Sequence, residues 1–216
     1  MTAFIRRLAV LAVTCVLAWG PAGAAPADDV AHLQQSWAQV KYQVPAASQE
    51  ARFAQLRDEA EQAAARNQAN AQVLIWYAII ESTYAGAKGG LGALKYAKNA
   101  RATLERALAT DPEALAGSAY TSLGSLYYQV PGWPIGFGDD ARARDYLKKG
   151  LAVNPDGIDA NFFYGDYLLR KGDAANAELY LRHALQAAPR PGRQVADAGR
   201  RGEIAQLLEK IAAGKK

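Results

Sequence analysis

The sequence predicts an all-α chain built as a stack of antiparallel helical hairpins, and three observations carry that reading. A pattern recurs three times: Tyr120-x2-Leu123-Gly124-x2-Tyr127, then Ala143-x3-Leu147-x2-Gly150, then Pro155. It returns as Asn161-x2-Tyr164-Gly165-x2-Leu168, Ala177-x3-Leu181-x2-Ala184 and Pro189, and more weakly upstream as Leu74-x2-Tyr77-Ala78, Ala100-x3-Leu104-x2-Ala107 and Pro112. Second, the leading alanine of each second segment stands twelve residues before its proline in all three copies. Third, apolar residues between the turns fall three or four apart, the period of a helix with one buried face. A helical unit repeated at fixed period buries its apolar face only by stacking on its neighbours.

The last copy shows why small residues sit where they do. Gly165 lets a second helix approach the first, Ala177 and Ala184 do the same from the other side, and Tyr164, Leu168, Leu181 and Leu185 fill the remaining volume. Gly172 and Asp173 form the turn, glycine for a left-handed residue and aspartate for the next helix cap. Pro189 ends the second helix. These residues resemble the tetratricopeptide repeat, a helix-turn-helix unit of 34 residues. The copy at 158–191 has that length, with Asn161 where the family often carries tryptophan. The resemblance covers about residues 70–191 and implies a right-handed solenoid that binds a protein or peptide along its inner curve.

Taken in order, residues 30–42 place Val30, Leu33, Trp37 and Val40 on one helical face. Val44-Pro45 breaks that helix, and Ser48 is expected to cap a second one reaching Arg66, with Phe53, Leu56, Ala60, Ala63 and Ala64 inward. This first hairpin lacks the motif, as terminal repeats often do. Residues 70–84 are apolar on nearly every side, which places that helix at the centre of the stack, with its partner over 91–110. The third hairpin is expected over 112–129 and 140–153, and the fourth over 158–170 and 174–187. A linker at 190–192 leads to a last helix over 194–213, expected to cap the exposed end. The domain plan is a leader (1–24), a helical-repeat domain (25–191), and a capping helix with a basic tail (192–216).

Two hairpins carry long turns. Gly165 to Ala177 is a step of twelve, but Gly124 to Ala143 is nineteen and Ala78 to Ala100 is twenty-two. Insertions collected at one end of a stack often form its binding side. The loop at 130–139 carries two prolines and three glycines, with Trp133, Ile135 and Phe137 alternating; Asp139 or Asp140 caps the helix after it. Its aromatics either fold back on the core or, at Trp133 and Phe137, touch a partner. The loop at 86–92 has glycines and Lys88 but follows a helix and lacks a Gly-Lys-Ser/Thr ending, so it reads as a flexible turn rather than a phosphate cradle. The stretch 131–151 is also similar to the periplasmic T-component of TRAP transporters. That second resemblance implies a transport accessory role with Trp133 and Phe137 near a pocket or channel.

The N-terminus bears on location. Arg6 and Arg7 precede an apolar run of about a dozen residues, and Ala22-Gly23-Ala24 gives a small-x-small cleavage pattern. The run is shorter than the ~20 residues that span a bilayer. A cut after Ala24 removes the lone cysteine, Cys15, which follows Thr14 rather than the small residue that lipidation prefers. It takes 24 of the 216 residues, leaves 192, and lowers the net charge from +4 to +2 as Arg6 and Arg7 depart. Charges of both signs are interspersed, so the basic balance argues for a solvated surface and against nucleic acid. The expectation is a periplasmic or otherwise exported protein with no integral span after cleavage.

Catalytic patterns are lacking in the sequence. His32 and His183 lie in different hairpins with no carboxylate at metal-ligand spacing, and no Gly-x-Ser-x-Gly elbow occurs. Asp159 and Asp166 share a helix face but read as solvated or capping acids. The chain is therefore expected to be no enzyme, to need no cofactor or metal, and to bind a protein or peptide partner. The resemblance places the first helices on the inner curve. The candidates there are Ile75, Ile79, Thr121, Ser125, Tyr128, Phe162, Asp166 and Leu169, with Trp133 and Phe137 in the loop.

Overall fold

Small residues at helix contacts decide how this chain packs. A Cβ added at Gly124 would lie 2.5 Å from Leu147 Cγ, and one at Gly165 would lie 2.9 Å from Leu181 Cγ. Each leucine of a second helix thus sits over the glycine of its first helix, as the repeat predicts. Gly124→Ala is expected to cost about 1–3 kcal/mol by overpacking, more than the ~1 kcal/mol of helix propensity it gains. Gly202, with nothing within 4 Å, is the control; its alanine variant should gain about 0.5–1 kcal/mol. Urea unfolding of both variants checks the sign.

The computed structural model describes residues 25–214, so the expected leader, the expected cleavage site and Cys15 lie outside the described residues. Those residues form α1 (Pro26–Gln43), α2 (Ala46–Arg66), α3 (Ala71–Lys88), α4 (Leu94–Thr110), α5 (Ala114–Gln129), α6 (Asp140–Val153), α7 (Ile158–Arg170), α8 (Ala174–Leu185) and α9 (Gln194–Gly214). One 3-10 turn precedes α4, and no strand occurs among the described residues beyond an isolated bridge between Gly132 and Gly138. Pairs α1/α2, α3/α4, α5/α6 and α7/α8 are the four hairpins, and α1, α3, α5 and α7 touch in succession. The central helix α3 buries Val73, Leu74, Ile75, Ala78 and Ile80 almost completely. One large apolar cluster runs from α1 through α7, and a second joins α7 and α8 to Ile204 and Ile211 of α9.

Several boundaries differ from the sequence reading for physical reasons. Ser48 caps nothing: α2 starts at Ala46 behind Pro45, with no side-chain cap. The turn expected at 86–92 is mostly helical, because α3 runs on to Lys88 and only Gly89 and Gly90 break it before the 3-10 turn. At the start of α5, Leu115, Ala116 and Gly117 take left-handed φ of 50°, 53° and 73°. Gly117 suits a left-handed position, but leucine and alanine are good helix formers, so the sequence does not mark the break at Leu115 and Ala116. Two caps fall where expected. Asp139 accepts from the amides of Ala141 and Arg142, and Asp173 accepts from Asn176, with Gly172 at φ +82° before it.

The last helix does more than cap the end. It packs on α8 and α7, but equally on α1, at the opposite end of the chain. Gly199 sits against the Tyr42 ring, where a Cβ would meet ring carbons at 2.3–2.5 Å. The Tyr42 hydroxyl donates to Glu203 at 3.2 Å. Arg201 donates to the carbonyls of Leu185 and Ala187, fixing α9 to the end of α8. The linker is equally held: Arg190 donates from its backbone and Nε to Asp197 and from Nη1 to Asp159 at 2.7 Å.

Candidate functional site

With α9 reaching back to α1, the inner side of the stack holds a half-open cavity of about 860 Å³. Its walls come mainly from α1 (Trp37, Tyr42), α3 (Trp76, Ile79, Ser82), α5 (Ser118, Ser122, Ser125), α7 (Phe162, Asp166) and α9 (Ala196, Arg200). The serines of α5 recur at i, i+4 and i+7, so one face of that helix is a hydroxyl stripe. Aromatic rings form another part of the wall: Trp37 is edge-on to Tyr42 and to Trp76 at 5.8 and 5.9 Å, and its indole N–H donates to Thr83.

An ionic lattice closes the α7/α9 side. Asp159 is bound by Arg190 at 2.7 Å and by Arg200 Nε at 2.8 Å. Arg200 also holds Glu203 and lies 4.1 Å over the Phe162 ring. Burial alone would raise the Asp159 carboxyl, but the two guanidiniums overcome it and hold it well below the usual carboxylate range. Arg200 is likewise pushed down by burial and more strongly raised by Asp159 and Glu203. Burial, and then Glu203 and Asp159, push the Tyr42 phenol up, so it remains a donor.

Of the residues proposed from sequence, Ile79, Thr121, Ser125, Phe162 and Asp166 line this cavity. Ile75 does not: it is fully buried in the core, because α3 is covered on more than one side. Tyr128 donates to Asp166 at 2.8 Å and lies beside the Tyr167 ring, so it braces α5 against α7. Asp166 also accepts from Arg170, and Asp159 is the hub of a salt lattice, whereas the sequence reading has both as solvated or capping acids. Leu169 packs with the second apolar cluster. The loop aromatics part company. Phe137 folds in, edge-on to Tyr127 at 5.6 Å with Arg101 over its ring, while Trp133 is 90% exposed. Neither lines the cavity.

What sequence reasoning missed is the contribution of α9 and the linker, chiefly Arg190, Arg193 and Arg200. The available signal was the set of arginines at 190, 193, 200 and 201, an excess of positive charge in one short stretch. The histidines pair with acids at the surface, His32 with Glu59 and His183 with Asp156, both at 3.0 Å. Among the described residues no group of three His, Cys, Asp or Glu is placed to hold a metal, and no helix is long and apolar enough to cross a membrane.

Residues 158–191, hairpin α7/α8 and the turn after it, match the tetratricopeptide repeat. Asn161, in place of the tryptophan frequent in that family, is buried and donates to the carbonyls of Pro155 and Gly157, fastening the turn before α7. The fold is similar to the crystal structure of a thermophilic TPR protein in Thermus thermophilus, with a TM-score of 0.57 over 87% of this chain and 90% of that one at 20% identity. No curated protein matches the sequence significantly. The chain thus carries a tetratricopeptide repeat at residues 158–191, within a hairpin stack whose fold is similar to that of a TPR protein.

Proposed function

We propose that the protein is an exported, non-catalytic adaptor that takes a peptide segment of a protein partner into the cavity between its first helices and α9. The observation that carries this reading is the cavity itself: about 860 Å³, walled mainly by the first helices and α9, with a hydroxyl stripe and aromatic rings in one lining. Hydroxyls satisfy the polar backbone of an extended peptide while rings cover its side chains. Tetratricopeptide folds serve as interaction scaffolds, which favours binding over chemistry. Export rests on the leader at 1–24, and the mature protein is expected to begin at Ala25 by intact mass.

A photo-crosslinking residue at Ser122, inside the cavity, tests the binding mode against one at Leu179, which is 64% exposed on α8. Adducts are expected from position 122 in the native envelope and not from 179. Adducts from 179 alone would place binding on the outer surface and overturn the reading. A transport accessory role like that of the TRAP T-component is a second proposal, favoured by the exposed Trp133 and Ile135 in the loop. It requires adducts from position 133 and a stable homotrimer by light scattering.

A further inference from the structure

Four large apolar side chains stand exposed among the described residues, and three of them share one end of the stack. Leu91 is 85% exposed in the α3/α4 connection, and Trp133 and Ile135 are 90% and 59% exposed in the α5/α6 loop. The two connections touch: a Cβ at Gly136 would lie 3.4 Å from Leu94 Cδ1. Leu91 opens the 3-10 turn that Leu94 closes. Side chains three apart in such a turn eclipse, so Leu91 projects on the side where Leu94 meets the loop. Backbone bonds close the loop itself: Gly136 donates to Gly132, Gly138 to Pro131 and Asp139 to Tyr127, while the Phe137 ring is anchored inward. A fixed backbone therefore holds Trp133 and Ile135 outward.

Charge beside this apolar tip is one-sided. Glu50 pairs with Lys88, Asp139 with Arg142, Asp140 with Lys171, and Glu105 with Arg101, which also covers Phe137 at 4.5 Å. Leu94, Lys98 and Arg101 fall at i, i+4 and i+7 on α4, so Lys98 stands between the two points where that helix meets the loop. Lys95 and Lys98 are both exposed, and neither forms an ion pair among the described residues. An apolar patch left open in this way marks an interaction surface. Its composition selects the partner. Lysine is depleted and arginine enriched where proteins meet, whereas tryptophan beside lysine suits the headgroup layer of a bilayer. The tip also projects, where small-ligand sites are concave, and none of its residues lines the inner cavity.

We propose that Leu91, Trp133 and Ile135 form a peripheral docking tip for the surface of an anionic lipid bilayer, with the Lys95 and Lys98 ammoniums on the lipid phosphates. The indole lies at headgroup depth, the two aliphatic chains enter the acyl boundary, and the hairpin stack stays in water. Docking is independent of what the cavity binds, so either reading can fail alone.

The test sediments the full chain with vesicles of phosphatidylcholine alone, or of phosphatidylcholine and phosphatidylglycerol in equal parts. Binding to the mixed vesicles is expected to be about tenfold tighter or more. The double variant Trp133→Ser, Ile135→Ser and the double variant Lys95→Gln, Lys98→Gln should each lose about tenfold on the mixed vesicles. All four side chains are exposed, so the urea midpoints of both variants should match wild type. Quenching by brominated lipid, read as the difference between wild type and Trp133→Phe, reports on Trp133 itself. Absence of that quenching, equal binding to both vesicle types, or binding indifferent to either double variant would overturn the docking tip. Crosslinks from position 133 to a protein without lipid quenching would make the tip a protein interface and overturn it as well.

Discussion

Replacing Arg200 with methionine is expected to lower stability by about 2–3 kcal/mol at neutral pH, because the half-buried Asp159 loses one of its two guanidinium partners. Methionine keeps much of the length that covers Phe162 but removes the donors to Asp159 and Glu203. Arg190 remains on Asp159, and Asp159 keeps about a third of its side chain open, so the loss stays below that of a fully buried pair. The pH dependence gives a second readout. Asp159 has a depressed folded pKa, so its contribution is present above the unfolded carboxyl value near ~4 and is lost as pH falls through the lower folded value. Urea unfolding of wild type should therefore weaken below about pH 4, and the Arg200→Met variant should show a smaller acid loss. A variant within ~1 kcal/mol of wild type at neutral pH would mean the lattice does not hold α9 in place.

Glu81→Gln is expected to stabilise the protein, and increasingly so as pH rises above 4.5. Glu81 is 2% exposed on α3, and burial pushes its carboxyl up to about 7 against the ordinary 4.5. Asn99 donates to it at 2.6 Å and also to the Tyr77 hydroxyl, itself raised to about 12 by burial and then by Glu81. A raised carboxyl binds its proton more tightly when folded. Its stabilising effect is complete below the unfolded value of 4.5 and disappears as pH rises through about 7. Glutamine mimics the protonated acid and still accepts from Asn99. At pH 8 the variant should gain on the order of 3 kcal/mol over wild type, and the two should converge only below the unfolded value of 4.5. A difference independent of pH, measured by urea unfolding, would show that Glu81 does not titrate in this range.

Much of the hairpin stack was legible because its determinants are local. Gly124, Gly165, Leu147 and Leu181 meet within single hairpins, so spacing along the chain reports contact in space. Caps at Asp139 and Asp173 act over two or three residues and were equally readable. The site was less so. Choosing inner-curve residues from the resemblance and the helix period put Ile79, Ser125 and Phe162 beside the cavity, but it could not separate them from Ile75, which the neighbouring helices cover. The partners of Asp159 lie 31 and 41 residues away, and no period connects them. The left-handed turn at Leu115 and Ala116 lies against residue propensity, so only tertiary context sets it.

The seam where α9 meets α1 has a thermodynamic corollary. An open solenoid behaves as a one-dimensional array, fraying from its termini and melting unit by unit. Here the Tyr42–Gly199 and Tyr42–Glu203 contacts tie the beginning of the array to its finish. Neither terminus is then a free edge, and melting should be a single concerted event. Amide exchange in hairpin α1/α2 should accordingly be as slow as in α7/α8. Wedging the seam with Gly199→Val should restore sequential loss from the first hairpin.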